Sequence, residues 1–496
     1  MGTATGPGSF DIEWECKRCP KPDQHQNEFS GATRDGHITA FRHEGFEVTS
    51  RPDPYVVGGT TTTGRIYNYG SVLTKVFLVK ADRPTPSYMR SPPETPYVYA
   101  LENAMDEMAA ALNMDPVEFR RVNDASTDAI DGKPYSSRSL MECYDQAAGE
   151  FGWSKRDPKI GAMRDGDWLI GVGCATAVYP TNVAPCAVRI KLTNEGQARV
   201  ETASHEIGTG IRTVATQLTA EQLGLDPRAI EVEMGDTRLP PAPVAGGSNT
   251  TASVSSAIIK ACGEIREKLA RAVVTANDGP LAGRDPAAIR FTDRKLIAGD
   301  ASLELKEAFN RLGVSVIEQY TEFRPDAASS DAVSKLYKGK TELVSGEKGD
   351  KMKYAFGAEF VEVRIHRLTR EVRVPRIVGA FAGGRIMNTR TARSQLMGGM
   401  IWGISSALHE ATEFDQRAAR VVNRDLQDYL VPVNADIGEV KVILVSETDR
   451  DVNPAGVKGL GELGNVGTAA AIASAVYHAT GKRIRRLPIR IDSLIS

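Results

Sequence analysis

Residues 456–476 read GVKGLGELGNVGTAAAIASAV. Five glycines fall in the first twelve positions, with one carboxylate, Glu462, among them; a run of small apolar residues follows. Glycine lets a backbone take left-handed conformations and approach a neighbour closely. The alanine-rich run reads as a buried helix. Two further glycine-rich turns also run into helices, at residues 208–213 and 246–255. A helix N-terminus offers free N–H groups and the positive end of a dipole, and Ser and Thr add hydroxyls. Such a set suits a phosphate or a polar, ring-shaped cofactor. Taken singly, each turn also fits plain chain reversal.

Working outward, AVRIKLTNEGQARVETASHEIGTGIRTVATQL and EVRIHRLTREVRVPRIVGAFAGGRIMNTRTARSQL echo each other. Each reads as strand, turn, strand, glycine loop and helix ending in Gln-Leu, which suggests two similar halves facing one crevice. TRDGHITAFRHEGFEV reads as a hairpin turning at Asp35-Gly36. Residues 72–79 (VLTKVFLV) read as a buried strand. Leu101, Ala104, Met105, Met108 and Leu112 recur at helical spacing, in a helix that ends near Pro116. Residues 321–352 are polar and poorly periodic, as in a surface loop or linker. The fold class is mixed, α+β.

The 496 residues allow about three domains. A net charge of -2 and ordinary hydrophobic content, 41%, do not suggest a nucleic-acid binder or a membrane-surface protein. No segment approaches a membrane span, and the first residues lack the basic start and apolar core of a signal peptide. Of six cysteines only Cys16 and Cys19 are close, and no second pair exists to complete a four-thiolate site. No HExxH, G-x-S-x-G or P-loop is present, and IGTGIRT lacks the third glycine of a dinucleotide fingerprint. His205, just before the first glycine loop, could touch a ligand or satisfy a local hydrogen bond.

Glu462 has two readings from physics alone. An acid in the first turn of a helix is stabilised by roughly 0.3–1 kcal/mol. An acid among glycines can also stand at a cavity edge, where desolvation raises its pKa toward that of a general base. No paired carboxylate is evident nearby. Arg90, in the proline-fixed loop YMRSPPETP, is either a solvated surface group or an aimed guanidinium.

Together, YMRSPPETPYVYALENAMDEMA, IGTGIRTVATQLTAEQLGL, MGDTRLPPAPVAGGSNTTASVSSA, GGRIMNTRTARSQLMGGMIWGI and GVKGLGELGNVGTAAAIASAVYHATGKRIRRLPI resemble, in order, the molybdenum-binding subunit of the xanthine dehydrogenase/aldehyde oxidase family. Within it the chain is most similar to the bacterial three-subunit periplasmic aldehyde oxidoreductase type. The resemblance implies two molybdopterin-binding domains with mixed sheets and flanking helices around a shared crevice. It divides the chain into the remainder of a first domain (1–147), the first half of a second (148–320), a linker or surface loop (321–352), and a second half with the active-site glutamate (353–496).

By the same resemblance, Glu462 is the general base and Arg90 the arginine beside the molybdenum. Gly208, Thr209, Gly210, Thr213, Ser248, Ala252, Ser253, Ser255, Gln395 and Gly461 fall on cofactor-contacting positions. Ala252, like Arg90, lies near the metal without ligating it. The family commonly has Gln where Thr209 stands. Tyr179 falls among substrate-lining residues. The implied reaction is hydroxylation with water as oxygen source, of aldehydes in the leading reading and of N-heterocycles such as xanthine, nicotinate or isoquinoline in the alternative. A non-catalytic truncated subunit is the third reading. The pterin dithiolene holds the metal, so no His/Cys ligand set is expected, and mononucleotide and cytosine dinucleotide forms both stay open. Iron–sulfur clusters and FAD are expected on partner subunits, and a domain-sized segment ahead of this one, with a Gly-Gly-Phe-Gly loop, on another chain if not lost. The implied compartment is the cytoplasm, or the periplasm after co-export with a partner that carries the signal.

Overall fold

The computed structural model describes residues 9–16, 24–82, 84–415, 417–418 and 420–495, with side chains from residue 31 onward. Of the CKRC pair, Cys19 and the Cys16 side chain lie outside the described part. Cys143, Cys174, Cys186 and Cys262 are buried free thiols.

Three larger sheets carry the chain. The first has the order Arg486–Leu487, Ser9–Cys16, Gln24–Ala32, Ile38–Ser50 and Val72–Ala81. Gln24–Ala32 and Ile38–Ser50 form the expected hairpin around Asp35-Gly36. Val72–Ala81 is parallel to Ile38–Ser50 and lies at the sheet edge, so its side chains alternate between partly buried and exposed. The expected fully buried strand is therefore an edge strand, with Leu73, Phe77 and Val79 facing outward. Helix Glu94–Ala111 lies buried behind this sheet, and Asn113, at a positive φ, turns the chain toward Pro116.

The central sheet has the order Ile437–Val445, Val372–Ala382, Tyr354–His366, Trp168–Pro180 and Arg164–Asp165. Trp168–Pro180 pairs along its whole length with Tyr354–His366, so segments nearly 200 positions apart in the chain share one core. The third sheet, of Val316–Phe323, Cys186–Thr193, Ala198–Thr202 and Ile230–Met234, packs against helices Ile211–Leu223 and Thr250–Val274 around a separate core. Both echoing segments fold as hairpin, loop and helix: Cys186–Thr193 and Ala198–Thr202 lead into Ile211–Leu223, and Tyr354–His366 and Val372–Ala382 into Thr389–Leu408. Residues 321–352 carry one short helix, Ala332–Tyr337, and are pinned by a bridge between Val183 and Val344. Among the described residues no helix is long and apolar enough to cross a membrane.

The alanine-rich run is the helix Thr468–Thr480, buried over almost its whole length. It lies against Trp168–Pro180 at backbone distance. A Cβ on Gly171 would stand 1.9 Å from the Ala475 carbonyl oxygen, and one on Gly173 would stand 2.3 Å from that of Ala471. At its start sits Glu359 of Tyr354–His366, which accepts from the Gly467 N–H at 3.4 Å and from the Thr468 hydroxyl. Burial pushes the Glu359 carboxyl up to about 8, with the Thr468 and Gly467 donors opposing it.

Two predictions follow from this packing. Gly173→Ala meets fixed backbone, so it destabilises the chain by about 1–3 kcal/mol or more; an unchanged thermal midpoint would refute the backbone contact. Glu359 binds its proton in the folded state up to about pH 8, against about 4.3 when unfolded. Its contribution to stability is full below the unfolded pKa and lost as pH rises through the folded one, at about 1.4 kcal/mol per pH unit. Glu359→Gln removes that slope. Denaturant unfolding of both proteins at pH 5 and 7.5 checks it, and a pH-independent difference between them would count against the buried neutral acid.

Candidate active site

Residues 456–460 run beside residues 383–385, just beyond the end of Val372–Ala382. The Arg385 N–H donates to the Gly456 carbonyl at 2.7 Å, and the Lys458 N–H to that of Gly383 at 3.0 Å. The Lys458 ammonium is buried between Glu447 at 3.0 Å and Asp449 at 3.5 Å, which anchors the loop from below. The chain then crosses Arg90. Arg90 Nε donates to the Gly461 carbonyl at 2.6 Å, and its Nη2 to that of Gln395 at 2.5 Å. Ser91 Oγ donates to the Glu462 carbonyl at 2.5 Å. Arg90 is thus a clamp joining three segments, not a solvated surface group. Past Glu462 a single turn, Leu463–Asn465, packs against helix Thr389–Leu408 at Gly399.

These loops enclose a cavity of about 520 Å³. Its wall includes Arg90, Thr209, Ser248, Gln395, Gly461 and Glu462, together with Thr250, Thr251, Trp402 and Leu460. The glycine loops do face one crevice: a Cβ on Gly210 would lie 2.5 Å from Thr391 Cγ2, and Gln395 Nε2 donates to the Gly208 carbonyl at 3.2 Å.

Glu462 precedes Thr468–Thr480 by six positions, so it is not the dipole acid of that helix; Glu359 holds that place. The residue is partly buried on the cavity wall. Burial pushes its carboxyl up, opposed by a hydrogen bond from Tyr179, the charge of Arg90 and the backbone N–H groups of Gly247 and Ser91. One oxygen, Oε2, is buried with no hydrogen-bond partner among the described residues. Tyr179, 4% exposed at the end of Trp168–Pro180, is pushed up by burial and by the charges of Glu462 and Glu94.

The other expected positions divide. Gly208 and Gly210 turn their N–H groups toward Glu206, which accepts from both at 2.9 Å and from Arg212 N at 3.3 Å. Although burial opposes it, these donors hold the Glu206 carboxyl below its usual range. A side chain of this protein thus takes the N–H groups that the glycine pattern offered to a ligand. Thr213 is exposed and off the cavity wall. Ala252, Ser253 and Ser255 are buried in the first turns of Thr250–Val274. Ser253 Oγ donates to the Asn249 carbonyl and accepts from Ala184 N, both at 2.9 Å. His205 accepts from Ala245 N at 3.1 Å, which is the local hydrogen bond.

Two acids escaped the sequence reading. Glu206 stands two positions before its glycine, a short reach for a carboxylate. Glu94, four positions after Arg90 in the same proline-rich loop, supplies the second carboxyl that no local spacing announced. It is 2% exposed, and the charge that most raises its carboxyl is that of Glu462, which it meets only through the fold.

The residues present fit a phosphate-bearing pterin. Three helices at the crevice have side-chain acceptors at their N-termini: Glu206 for Ile211–Leu223, Asn388 for Thr389–Leu408 and Glu359 for Thr468–Thr480. The start of Thr250–Val274 has no side-chain cap and no acid in its first turn. Beside it, Ser248 Oγ is buried without a partner, and Ser255 Oγ is likewise unpartnered. An uncapped helix start with free hydroxyls is an anion site. Among the described residues no group of three or more His, Cys, Asp or Glu could hold a metal ion.

Comparison with known proteins agrees. Models of the molybdopterin cofactor-binding domain match residues 146–438 and 20–124. The chain is 37% identical over 471 residues to the aldehyde oxidoreductase molybdenum-binding subunit PaoC of Escherichia coli K12, covering 94% of this chain and 59% of that protein. It is 29% identical to the xanthine dehydrogenase molybdenum-binding subunit of E. coli O157:H7, over 82% of this chain and 52% of that one. The chain thus spans between half and three-fifths of these relatives. Its fold matches quinoline 2-oxidoreductase of Pseudomonas putida 86 with a TM-score of 0.81 at 18% identity, covering 95% of this chain and 62% of that one. The aldehyde oxidoreductase of Desulfovibrio desulfuricans matches with a TM-score of 0.75 at 21% identity, over 95% and 48%. The chain belongs to the molybdopterin cofactor-binding family, that of the molybdenum-binding subunits of aldehyde oxidoreductases and xanthine dehydrogenases.

Proposed function

We propose that this chain forms the pterin-holding and base-bearing part of a molybdenum hydroxylase that oxidises aldehydes to carboxylic acids with water as the oxygen source. The observation that carries the reading is the Glu462 carboxyl, buried on the cavity wall with one oxygen free of protein partners. The identity to an aldehyde oxidoreductase subunit supports the substrate class. Iron–sulfur and FAD subunits are the proposed partners.

Ser248, Thr250, Thr251 and the backbone at the start of Thr250–Val274 would hold the cofactor phosphate, with Thr209, Gln395 and Gly461 lining the same cavity. When bound, the molybdenum cofactor supplies the oxygen-transfer and two-electron chemistry that no side chain here can. The chain supplies the base. Tyr179 and the backbone N–H groups of Gly247 and Ser91 favour the ionised Glu462 carboxyl, and Oε2, buried without a partner among the described residues, is left to accept a proton. Desolvation makes that oxygen more basic, while the charge of Arg90 keeps the group ionised. Tyr179, behind the cavity wall, favours the ionised form of the carboxyl.

Glu462→Gln in the assembled complex lowers aldehyde turnover by roughly 10²–10⁴, with molybdenum and pterin contents unchanged by metal and fluorescence analysis. A near-normal rate removes the general-base role, and a well-folded complex without molybdenum or pterin sinks the function. Tyr179→Phe deletes a donor that favours the ionised carboxylate, so the Glu462 pKa rises. The acid limb of the pH–rate profile then moves to higher pH. A limb that stays in place, or moves down, excludes the hydrogen bond as a determinant of the base.

A further inference from the structure

Glu94 and Glu462 come from distant parts of the chain and are stitched together on both sides. Ser91 Oγ reaches the Glu462 carbonyl at 2.5 Å. Asn465 Nδ2 reaches the Arg90 carbonyl at 3.3 Å and Thr95 Oγ1 at 3.4 Å. Glu94 opens the helix Glu94–Ala111 between these ties. Each acid has its Oε2 buried without a hydrogen-bond partner among the described residues. The charged and titratable groups around the pair are Arg90, Tyr179, Tyr55 and Glu347.

We propose that Glu94 is the proton-bearing partner of Glu462: the two buried carboxyls hold one negative charge between them, and that charge sits on Glu462. Like charges in a desolvated site cannot both persist. The distribution of donors decides which acid keeps the proton. Glu462 receives the Tyr179 hydroxyl, two N–H groups and the field of Arg90. Glu94 has only its own backbone N–H as a donor, and burial, followed by the charge of Glu462, pushes its carboxyl well up. The helix dipole at Glu94 favours its anion by only about 0.3–1 kcal/mol, too little to reverse the order. Two carboxyls whose surroundings drive them apart divide into an acid and a base.

As a device of catalysis this rests on the general-base reading of Glu462. Glu94 then acts as a positioning residue: kept neutral, it leaves a single basic oxygen in the site. Burial is the larger cause that keeps Glu94 neutral and the charge of Glu462 the second; a proton arriving on Glu462 removes that second cause, so the two titrate as a coupled pair.

Infrared difference spectroscopy of the assembled complex over a pH titration reads neutral carboxyl groups without turnover. A neutral-carboxyl band at pH 7 that is lost in Glu94→Gln and kept in Glu462→Gln is the expected result. The midpoint of that band falls by about one pH unit or more in Glu462→Gln, because the neighbouring charge is gone. No Glu94-dependent band at pH 7, or a midpoint that Glu462→Gln does not move, overturns the pairing. If Glu94→Gln fails to fold, the midpoint shift in Glu462→Gln decides alone. Retained turnover in Glu462→Gln would defeat the base reading and leave the spectroscopic result standing, so the two failures are separable.

Discussion

The site depends on one close approach. Helix Thr468–Thr480 lies on strand Trp168–Pro180 so tightly that Gly171 and Gly173 leave no room for a Cβ. Dispersion falls steeply with distance, and interiors pack like crystals, so contact at this range fixes the helix along the strand to within a fraction of a residue. The same strand ends at Tyr179, and the same helix begins just after Glu462. Tyr179 and Glu462 therefore meet because of how their elements are packed. A second set of small residues extends the constraint: Gly399 lies against Gly464, and Gly403 against Thr468, so Thr389–Leu408 is held at the same depth. This helix also brings Gln395 to the cavity.

The strand is itself held in register from the other side. Arg120 and Glu102 form an ion pair with both side chains fully buried. Glu102 also accepts from the Thr176 N–H at 2.7 Å and from the Tyr67 hydroxyl at 2.6 Å. A buried ion pair is weak evidence for stability, because desolvation offsets its attraction, but losing one partner leaves an uncompensated charge. Here the pair ties the helix of the first domain to a backbone position three residues before Tyr179. Arg90, on the loop preceding that helix, is positioned by the same tie. The clamp on Gly461 and Gln395 is thus set by an interaction outside the cavity.

Local patterns in the sequence showed the elements and hid their neighbours. The hairpin at Asp35-Gly36, the three glycine turns with their helices, and the echo between the two hairpin–helix units were all legible, because turn chemistry and periodicity are properties of adjacent residues. The edge position of Val72–Ala81 was not, since an apolar run does not say how many of its faces are covered. The site divides in the same way. Glu462 and Arg90 could be found in glycine and proline, and the family order gave them roles. Glu94 lies 368 positions from Glu462 in the chain, and only the packing of two loops makes them neighbours. Glu206 was close enough to its glycines to be guessed, yet a glycine loop reads equally as open or as filled by its own acid.

That last ambiguity carries the logic of the crevice. Free N–H groups at helix starts attract any anion. Glu206, Asn388 and Glu359 satisfy three of these starts from within the protein. The acids so used cannot compete for a ligand, and the starts so filled cannot attract one. Of these four starts, among the described residues, selection is left to that of Thr250–Val274, with the unpartnered Ser248 hydroxyl beside it. Capping thus acts as a sorting rule: it fills three starts from within the protein and leaves the one beside Ser248. The Ser248 hydroxyl lies against Gly461, the residue before the base, where a Cβ would stand 3.2 Å from it.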